Sequence, residues 1–337
     1  MGTCFLSGHK YDRMKAIVYS RNGPPDVLSC EEIEKPTPNA REVLIKVCAA
    51  AFNPLDCHLL KGGPAVMRTL PGRGKLRQPG VDVAGVVEAV GLGVTEFTAG
   101  DAVFVACRGA FAEHAIAPVS ALASKPETVS FEDAAASPIA ALTALQGLRD
   151  KGKIQAGQHV LINGASGGVG TFGVQLAKIF GAHVTGVCSA HNAELVRSLG
   201  AEHTINYAKE DFANGKQRYD LIFDLAGNHS FSACRRVLTP RGIVVGTGIL
   251  DGPQSLLVLF LALIWMIIRA WFSREKFVAF VANANRGDLT LIGDLLASGQ
   301  LKSIIERRYG LSEVPEAMRY QGTWRVRGKL VICMDAE

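Results

Sequence analysis

Four glycines fall within seven residues in Gly164-Ala165-Ser166-Gly167-Gly168-Val169-Gly170. Such a string lets the chain turn tightly and lets a pyrophosphate approach the backbone. A helix beginning there offers unpaired N–H groups and a partial positive charge to the same anion. Glycines alone are a weak signal, but residues 159–163 (His-Val-Leu-Ile-Asn) read as a strand and residues 171–180 as a helix. Strand, glycine loop and helix together are the context of a dinucleotide site. The next strand end selects the nucleotide. A ribose 2′-OH is usually held by Asp or Glu about 20 residues past the glycines. This chain has Cys188-Ser189-Ala190-His191-Asn192 there, with no acid. A carboxylate would repel a 2′-phosphate, whereas Ser189 and Asn192 can donate to one. The pattern favours NADPH over NADH, although Ser189 and Asn192 could instead cap the helix starting near Ala193.

Other chemistry-bearing residues are sparse. The eight cysteines include no two within four positions of each other, so no CxxC pair exists for zinc or redox work. Cys57-His58 reads as part of an extended segment, whose neighbours point to opposite faces, and two further ligands are lacking. Asn53-Pro54-Leu55-Asp56 offers an amide and a carboxylate. Asn53 is either a donor to a developing oxyanion or the start of an Asx turn before Pro54. Asp56 reads as a structural acceptor of backbone bonds, and no dedicated general acid is recognisable.

The elements that must position these groups change character along the chain. From Met14 to about Val119 the pattern is β: residues 16–19, 42–47, 85–91 and 102–106 are strand-like, with Gly and Pro turns between them. Ser130 then reads as the N-cap of a helix over 131–136, and 141–149 continues helically. Strands at 159–163, 182–188, 219–224 and 242–246 alternate with helices at 171–180 and 193–199, which implies parallel strands with helical crossovers. A final strand at 329–333 is expected to close back on the first region. The chain of 337 residues is long enough for two domains. With 48% apolar and 20% charged residues it is not a disordered chain. A net charge of +5, scattered, argues against a nucleic-acid surface. Residues 1–13 lack the apolar core of a signal peptide and read as a loose extension.

Several of these segments resemble the medium-chain dehydrogenase/reductases, within them the zinc-free quinone oxidoreductases and enone reductases. The resemblance is carried by residues 14–19 (Met-Lys-Ala-Ile-Val-Tyr), 53–56, 80–85 (Gly-Val-Asp-Val-Ala-Gly), 109–114, 163–170, 195–201 and 327–332. It implies an α/β protein with a GroES-like β-rich substrate domain and a doubly wound Rossmann domain, the active site lying between them. The expected boundaries are 14–138 and 282–337 for the substrate domain and 139–281 for the NADPH-binding domain. By position, Gly167, Gly168, Val169 and Gly170 would hold the pyrophosphate. Ser189, Asn192 and Tyr207 would hold the adenosine phosphate. Thr143, Thr247 and Lys329 would face the nicotinamide side or the phosphates, and Asn53 would stand beside nicotinamide and substrate. The implied reaction is hydride transfer from NADPH to a small apolar activated double bond or a quinone. Zinc-dependent relatives carry Gly-His-Glu where this chain has Gly80-Val81-Asp82, so the histidine ligand and its acidic neighbour are expected to be missing.

Two segments remain outside that scheme. Arg68, Arg73, Lys75 and Arg77 sit in a Gly/Pro-rich stretch that would border the cleft, to steer an acidic substrate, touch lipid headgroups or simply meet solvent. Residues 256–268 are thirteen uninterrupted apolar residues, followed by Arg269. A helix of that length spans about 20 Å, short of a ~30 Å hydrocarbon core. It reads as a dimer or interdomain helix, as a lid, or as a peripheral membrane contact. The expectation is a cytoplasmic homodimeric reductase. The alternative is a low-turnover NADPH-binding protein held at a membrane or partner through residues 256–272.

Overall fold

The computed structural model describes residues 12–62, 76–247 and 276–334. The apolar run at 256–272, three of the four cations of the basic stretch (Arg68, Arg73 and Lys75) and residues 1–11 lie outside the described residues.

The first region is built on antiparallel strands. β1 (Arg13–Val18) pairs with β2 (Ser29–Glu34) as a separate two-stranded ribbon. Arg13 stands opposite Glu34 and Lys35 N–H donates to the Asp12 carbonyl, so Asp12 and Arg13 belong to this ribbon and not to the expected loose extension. β3 (Glu42–Ala51) is followed by the short helix α1 (Pro54–Leu60). Then come β4 (Asp82–Val90), β5 (Ala102–Ala106), β6 (His114–Pro118) and β7 (Ala123–Ser124). Register shifts between Leu44 and Ile45 and between Val47 and Ala49 bend β3. The bend lets its first half pair with β6 and its last residues, Ala49–Ala51, pair elsewhere.

Two helices lead into the second region. α2 (Phe131–Ala136) starts as expected, with the Ser130 side chain accepting from Asp133 N–H. α3 (Pro138–Gln146) is buried on almost every face. β8 (His159–Asn163), α4 (Gly168–Ile179), β9 (His183–Cys188), α5 (Ala193–Ser198) and β10 (His203–Asn206) follow, then β11 (Tyr219–Asp224), α6 (Phe231–Arg235), β12 (Leu238–Thr247) and β13 (Lys276–Phe280). The six strands form one parallel sheet in the order β10-β9-β8-β11-β12-β13. Numbered within that sheet, the order is 3-2-1-4-5-6, the doubly wound Rossmann arrangement. Its strand order reverses between β8 and β11, so a crevice opens at the carboxyl ends of those two strands.

The chain then returns to the first region. α7 (Arg286–Ala297) packs on the β7 side. β14 (Ile305–Gly310), α8 (Val314–Gln321) and β15 (Lys329–Cys333) complete the second sheet, in the order β14-β15-β3-β4-β5-β7 with β6 also on β3. β15 pairs antiparallel with Ala49–Ala51, so the closure expected from 329–333 is present. One core cluster joins the two regions, from Phe104 and the alanines of α2 to Phe172 and Phe223. Burying a side chain of that size contributes about 1.5–3 kcal/mol, so the two sheets are held against each other chiefly by apolar surface. Among the described residues no helix is long and apolar enough to cross a membrane.

Candidate active site

Asn53 follows β3 and occupies the N-cap place of α1, with φ −129° and ψ 154°. Its side chain does not form an Asx turn. Nδ2 donates to Asp82 Oδ2 at 2.8 Å, and Oδ1 accepts from Lys329 Nζ at 2.7 Å. The start of α1 is secured by Pro54 and by Asp56, whose Oδ2 accepts from Asn53 N–H at 2.7 Å. Asp82 begins β4, and its Oδ1 accepts from Ile139 N–H at 3.0 Å, fastening the first turn of α3. Its Oδ2 also accepts from Lys329 Nζ at 3.2 Å. Relative exposure is 0% for Asp82, 1% for Asp56 and 3% for both Asn53 and Lys329, so the cluster is closed to bulk water.

This burial sets the charges. Desolvation pushes the Asp56 carboxyl up to about 7, and the Asn53 N–H only partly offsets it. Burial also raises Asp82, against the opposing pull of Lys329 and Asn53. The two acids differ in partners. Asp82 gathers three donors on its two oxygens, whereas Asp56 Oδ1 is buried with no hydrogen-bond partner among the described residues. Asp82, with three donors that include Lys329 Nζ, is thus the carboxyl better supplied to carry negative charge, while the unpartnered Oδ1 of Asp56 suits the protonated form that burial favours.

The glycine loop lies against this cluster. Gly164 has φ +89°, and Gly167 is the N-cap of α4 with no side chain to occupy the helix end. A Cβ on Gly170 would stand 2.1 Å from the Gly164 carbonyl oxygen, so this close turn excludes any side chain there. Gly167, Gly168, Val169 and Gly170 thus lie at the start and in the first turn of α4, three residues earlier than the sequence pattern suggests. A pyrophosphate fits this arrangement of open backbone and free helix N–H groups. Gly328 N–H donates to the Ser166 carbonyl at 2.9 Å, and Gly167 and Gly328 form a parallel bridge. Gly328 needs its φ of +73° and its lack of Cβ, which would meet the Ile304 carbonyl at 2.1 Å. The Lys329 stem packs alongside Gly168, while its ammonium reaches Asn53 and Asp82.

At the other end of the crevice, Ser189 precedes and Asn192 ends a single 3-10 turn after β9, and neither side chain caps a helix. Asn192 Nδ2 donates to Ser166 Oγ at 3.1 Å, tying this turn to the glycine loop, and its Oδ1 is buried without a hydrogen-bond partner among the described residues. Tyr207 is 63% exposed, and its backbone N–H donates to the carbonyl of Cys188. Thr143 lies on α3 with its hydroxyl donating to the Ile139 carbonyl, which places it one turn from the Asp82 contact. Thr247 ends β12, at the carboxyl edge of the parallel sheet.

Three expectations need correction. Cys57 and His58 are in helix α1, not in an extended segment. The Cys57 sulfur lies 3.4 Å from that of Met318, and the His58 ring meets the Trp324 ring at a tilt of 45°. The acidic neighbour thought missing at Gly80-Val81-Asp82 is present as Asp82. The fourth cation of the basic stretch, Arg77, donates to Asn22 Oδ1 and lies over the Tyr19 ring, engaged with the body of the protein. Sequence reasoning also passed over Asn163, whose Nδ2 donates to Asp224 Oδ1 and Asn228 Oδ1, both at 2.8 Å. These bonds clip the ends of β8 and β11 where the crevice opens. Polar residues ending otherwise apolar parallel strands were the available signal. Among the described residues, no group of three or more His, Cys, Asp or Glu side chains could hold a metal ion.

Known proteins share this organisation. A family described as alcohol dehydrogenase GroES-like domain matches residues 39–127, and one described as zinc-binding dehydrogenase matches residues 199–332. The chain is 32% identical over 335 residues to a chloroplast envelope quinone oxidoreductase homolog of Arabidopsis thaliana, covering 95% of this chain and 98% of that protein. It is 33% identical over 336 residues to an NADPH-dependent alkenal/one oxidoreductase, chloroplastic, of the same plant, covering 95% and 79%. The solved structure of the quinone oxidoreductase from Coxiella burnetii superposes with a TM-score of 0.84 at 30% identity, covering 96% of this chain and 100% of that one.

Proposed function

The chain belongs to the zinc-free quinone oxidoreductase branch of the medium-chain dehydrogenase/reductases, and on that premise we propose an NADPH-dependent reductase of α,β-unsaturated carbonyls or quinones that works without a metal ion. The observation that carries this reading is the Asn53 amide, clamped between Asp82 and Lys329 beside the glycine cradle of α4. The first turn of α4, from Gly167 to Gly170, would hold the pyrophosphate, and Ser189, Asn192 and Tyr207 the adenosine phosphate. The alkenal/one reductase named for NADPH and the absence of an acid at 188–192 both support that nucleotide.

Bound NADPH would supply the hydride to the β-carbon, and the proton taken up at the α-carbon would come from water. The chain's own contribution is to bind, orient and stabilise charge. Reducing an enone builds negative charge on the carbonyl oxygen, which needs a donor placed in advance. Asn53 has one N–H committed to Asp82 and a second with no partner among the described residues. That second N–H is the donor proposed for the oxyanion. Its surroundings are dry, which strengthens the interaction relative to water. Removing one such donor typically costs ~10²–10³ in kcat. In this reading Asn53 takes the charge-stabilising task that zinc performs in alcohol oxidation. Asp56 keeps its carboxyl on the α1 backbone and is not assigned to proton transfer.

The test is NADPH oxidation against a panel of enones, quinones and alcohols, with and without chelator. Enones or quinones should be turned over, alcohols should not, and chelator should have no effect. Tight NADPH binding with no turnover across the panel would instead favour a nucleotide-binding protein of low activity.

A further inference from the structure

An amide has two chemically opposite ends, and only one of them can donate to an oxyanion. Which end Asn53 presents is decided by its two neighbours. As a carboxylate Asp82 accepts at Oδ2, where it takes bonds from both Asn53 and Lys329, and Lys329 Nζ can only donate. Turning the amide over would set Nδ2 against the ammonium and Oδ1 against the carboxylate, losing two charge-assisted bonds at once. Both neighbours are buried and fastened independently. Asp82 is held by Ile139 N–H, and Lys329 follows Gly328, whose N–H is bonded to Ser166 in the glycine loop. Asp82 lies at the start of β4, Lys329 at the start of β15 and Ile139 in α3, so the clamp joins three elements around one amide.

We infer that Asp82 is a positioning residue for reduction: with Lys329 it locks the Asn53 amide in the single orientation that leaves an N–H for the substrate carbonyl. This rests on the assignment of Asn53 as the oxyanion donor, and extends it to a residue that touches neither cofactor nor substrate. Asp82 has a purely architectural task as well, at the first turn of α3, and the two tasks predict different results. The isosteric change Asp82→Asn keeps an acceptor for Ile139 but brings an NH₂ group towards Asn53. The Asn53 amide must then either face that donor or turn its own NH₂ towards Lys329, so no orientation satisfies both neighbours. The swap Asn53→Asp with Asp82→Asn restores the bond between positions 53 and 82, the bond from Lys329 to position 53, the acceptor for Ile139 and the total charge, giving up only the longer Lys329 bond to position 82, yet it removes the amide from position 53.

The variants Asn53→Ala, Asp82→Asn and the Asn53→Asp/Asp82→Asn swap should be compared in kcat, KM for an enone, NADPH affinity by nicotinamide fluorescence, and melting temperature. Asp82→Asn should lower kcat by at least about tenfold while NADPH affinity changes by less than about threefold. The swap should melt above the Asp82→Asn single variant and yet remain as slow as Asn53→Ala. A folded Asp82→Asn protein with wild-type kcat would overturn the inference, as would a swap that regains kcat together with stability. If Asn53→Ala itself keeps full kcat, the assignment of Asn53 fails first, and the positioning role falls with it. If neither Asp82 variant folds, the crystal structure of the wild-type complex with NADPH and a saturated ketone decides. The Asn53 amide bonded to Asp82 and Lys329, with its free N–H on the ketone oxygen, supports the role; an amide turned away from the ketone overturns it.

Discussion

Replacing Asp56 with Asn changes one buried ionisable group with little change of shape, and its effect on stability should depend on pH. In the unfolded chain this carboxyl ionises near 3.8, and burial in the folded protein pushes it up to about 7 by disfavouring its charged form. Between those values the folded protein holds a proton that the unfolded chain has released. Wild-type stability therefore falls as pH rises through that window and is steady, on this account, above it. The gap corresponds to about 4 kcal/mol in full, an upper figure because structural relaxation would reduce it. Asp56→Asn keeps the acceptor for Asn53 N–H and cannot ionise. Urea denaturation of both proteins from pH 4.5 to 8.5 should show the variant gaining on wild type by several kcal/mol as pH rises, with the gain complete near pH 8. A stability difference that stays flat across that range would refute the reasoning. It would mean that Asp56 is ionised in both states, with water or an unseen partner on its Oδ1.

Other outcomes follow from the same geometry. NADPH should bind at least about tenfold tighter than NADH, about 1.4 kcal/mol, and Ser189→Asp should abolish that preference in fluorescence titrations. Gly170→Ala should weaken nucleotide binding and lower the melting temperature, because its Cβ would lie 2.1 Å from the Gly164 carbonyl and the turn must open; calorimetry with NADPH checks both effects. The purified protein should stay in the supernatant with anionic liposomes, since residues 256–268 are too short to span and are followed by Arg269. Sedimentation of the wild type with liposomes, lost on Leu259→Lys/Leu263→Lys while NADPH binding persists, would favour a membrane contact instead.

Much of the nucleotide half was legible because its signals are local. The strand at 159–163, the glycines after it and the cap at Ser130 each depend on residues a few positions apart, and the structure places them as the pattern implies. The α4 boundary was missed by three residues because glycines read as loop, although here they form the first helical turn against neighbouring backbone. Helix α1 was also signalled, by Asn53 at the N-cap and Pro54 at N1, but the segment was read as extended. The clamp itself was not legible. Asp82 and Lys329 are 247 residues apart, and only the closure of β15 on β3 brings them together. An aspartate at the buried start of a strand shows that something must balance its charge, but not which residue does.

Metal-free hydride delivery to an activated double bond is tested by following the hydride itself. Protein dialysed against chelator, and shown to be free of stoichiometric metal, is given an enone and NADPH deuterated at the transferring position. A saturated ketone carrying one deuterium at the β-carbon should form at the undialysed rate. Deuterium on the carbonyl carbon of an alcohol product, or turnover that returns only when zinc is added, would contradict it.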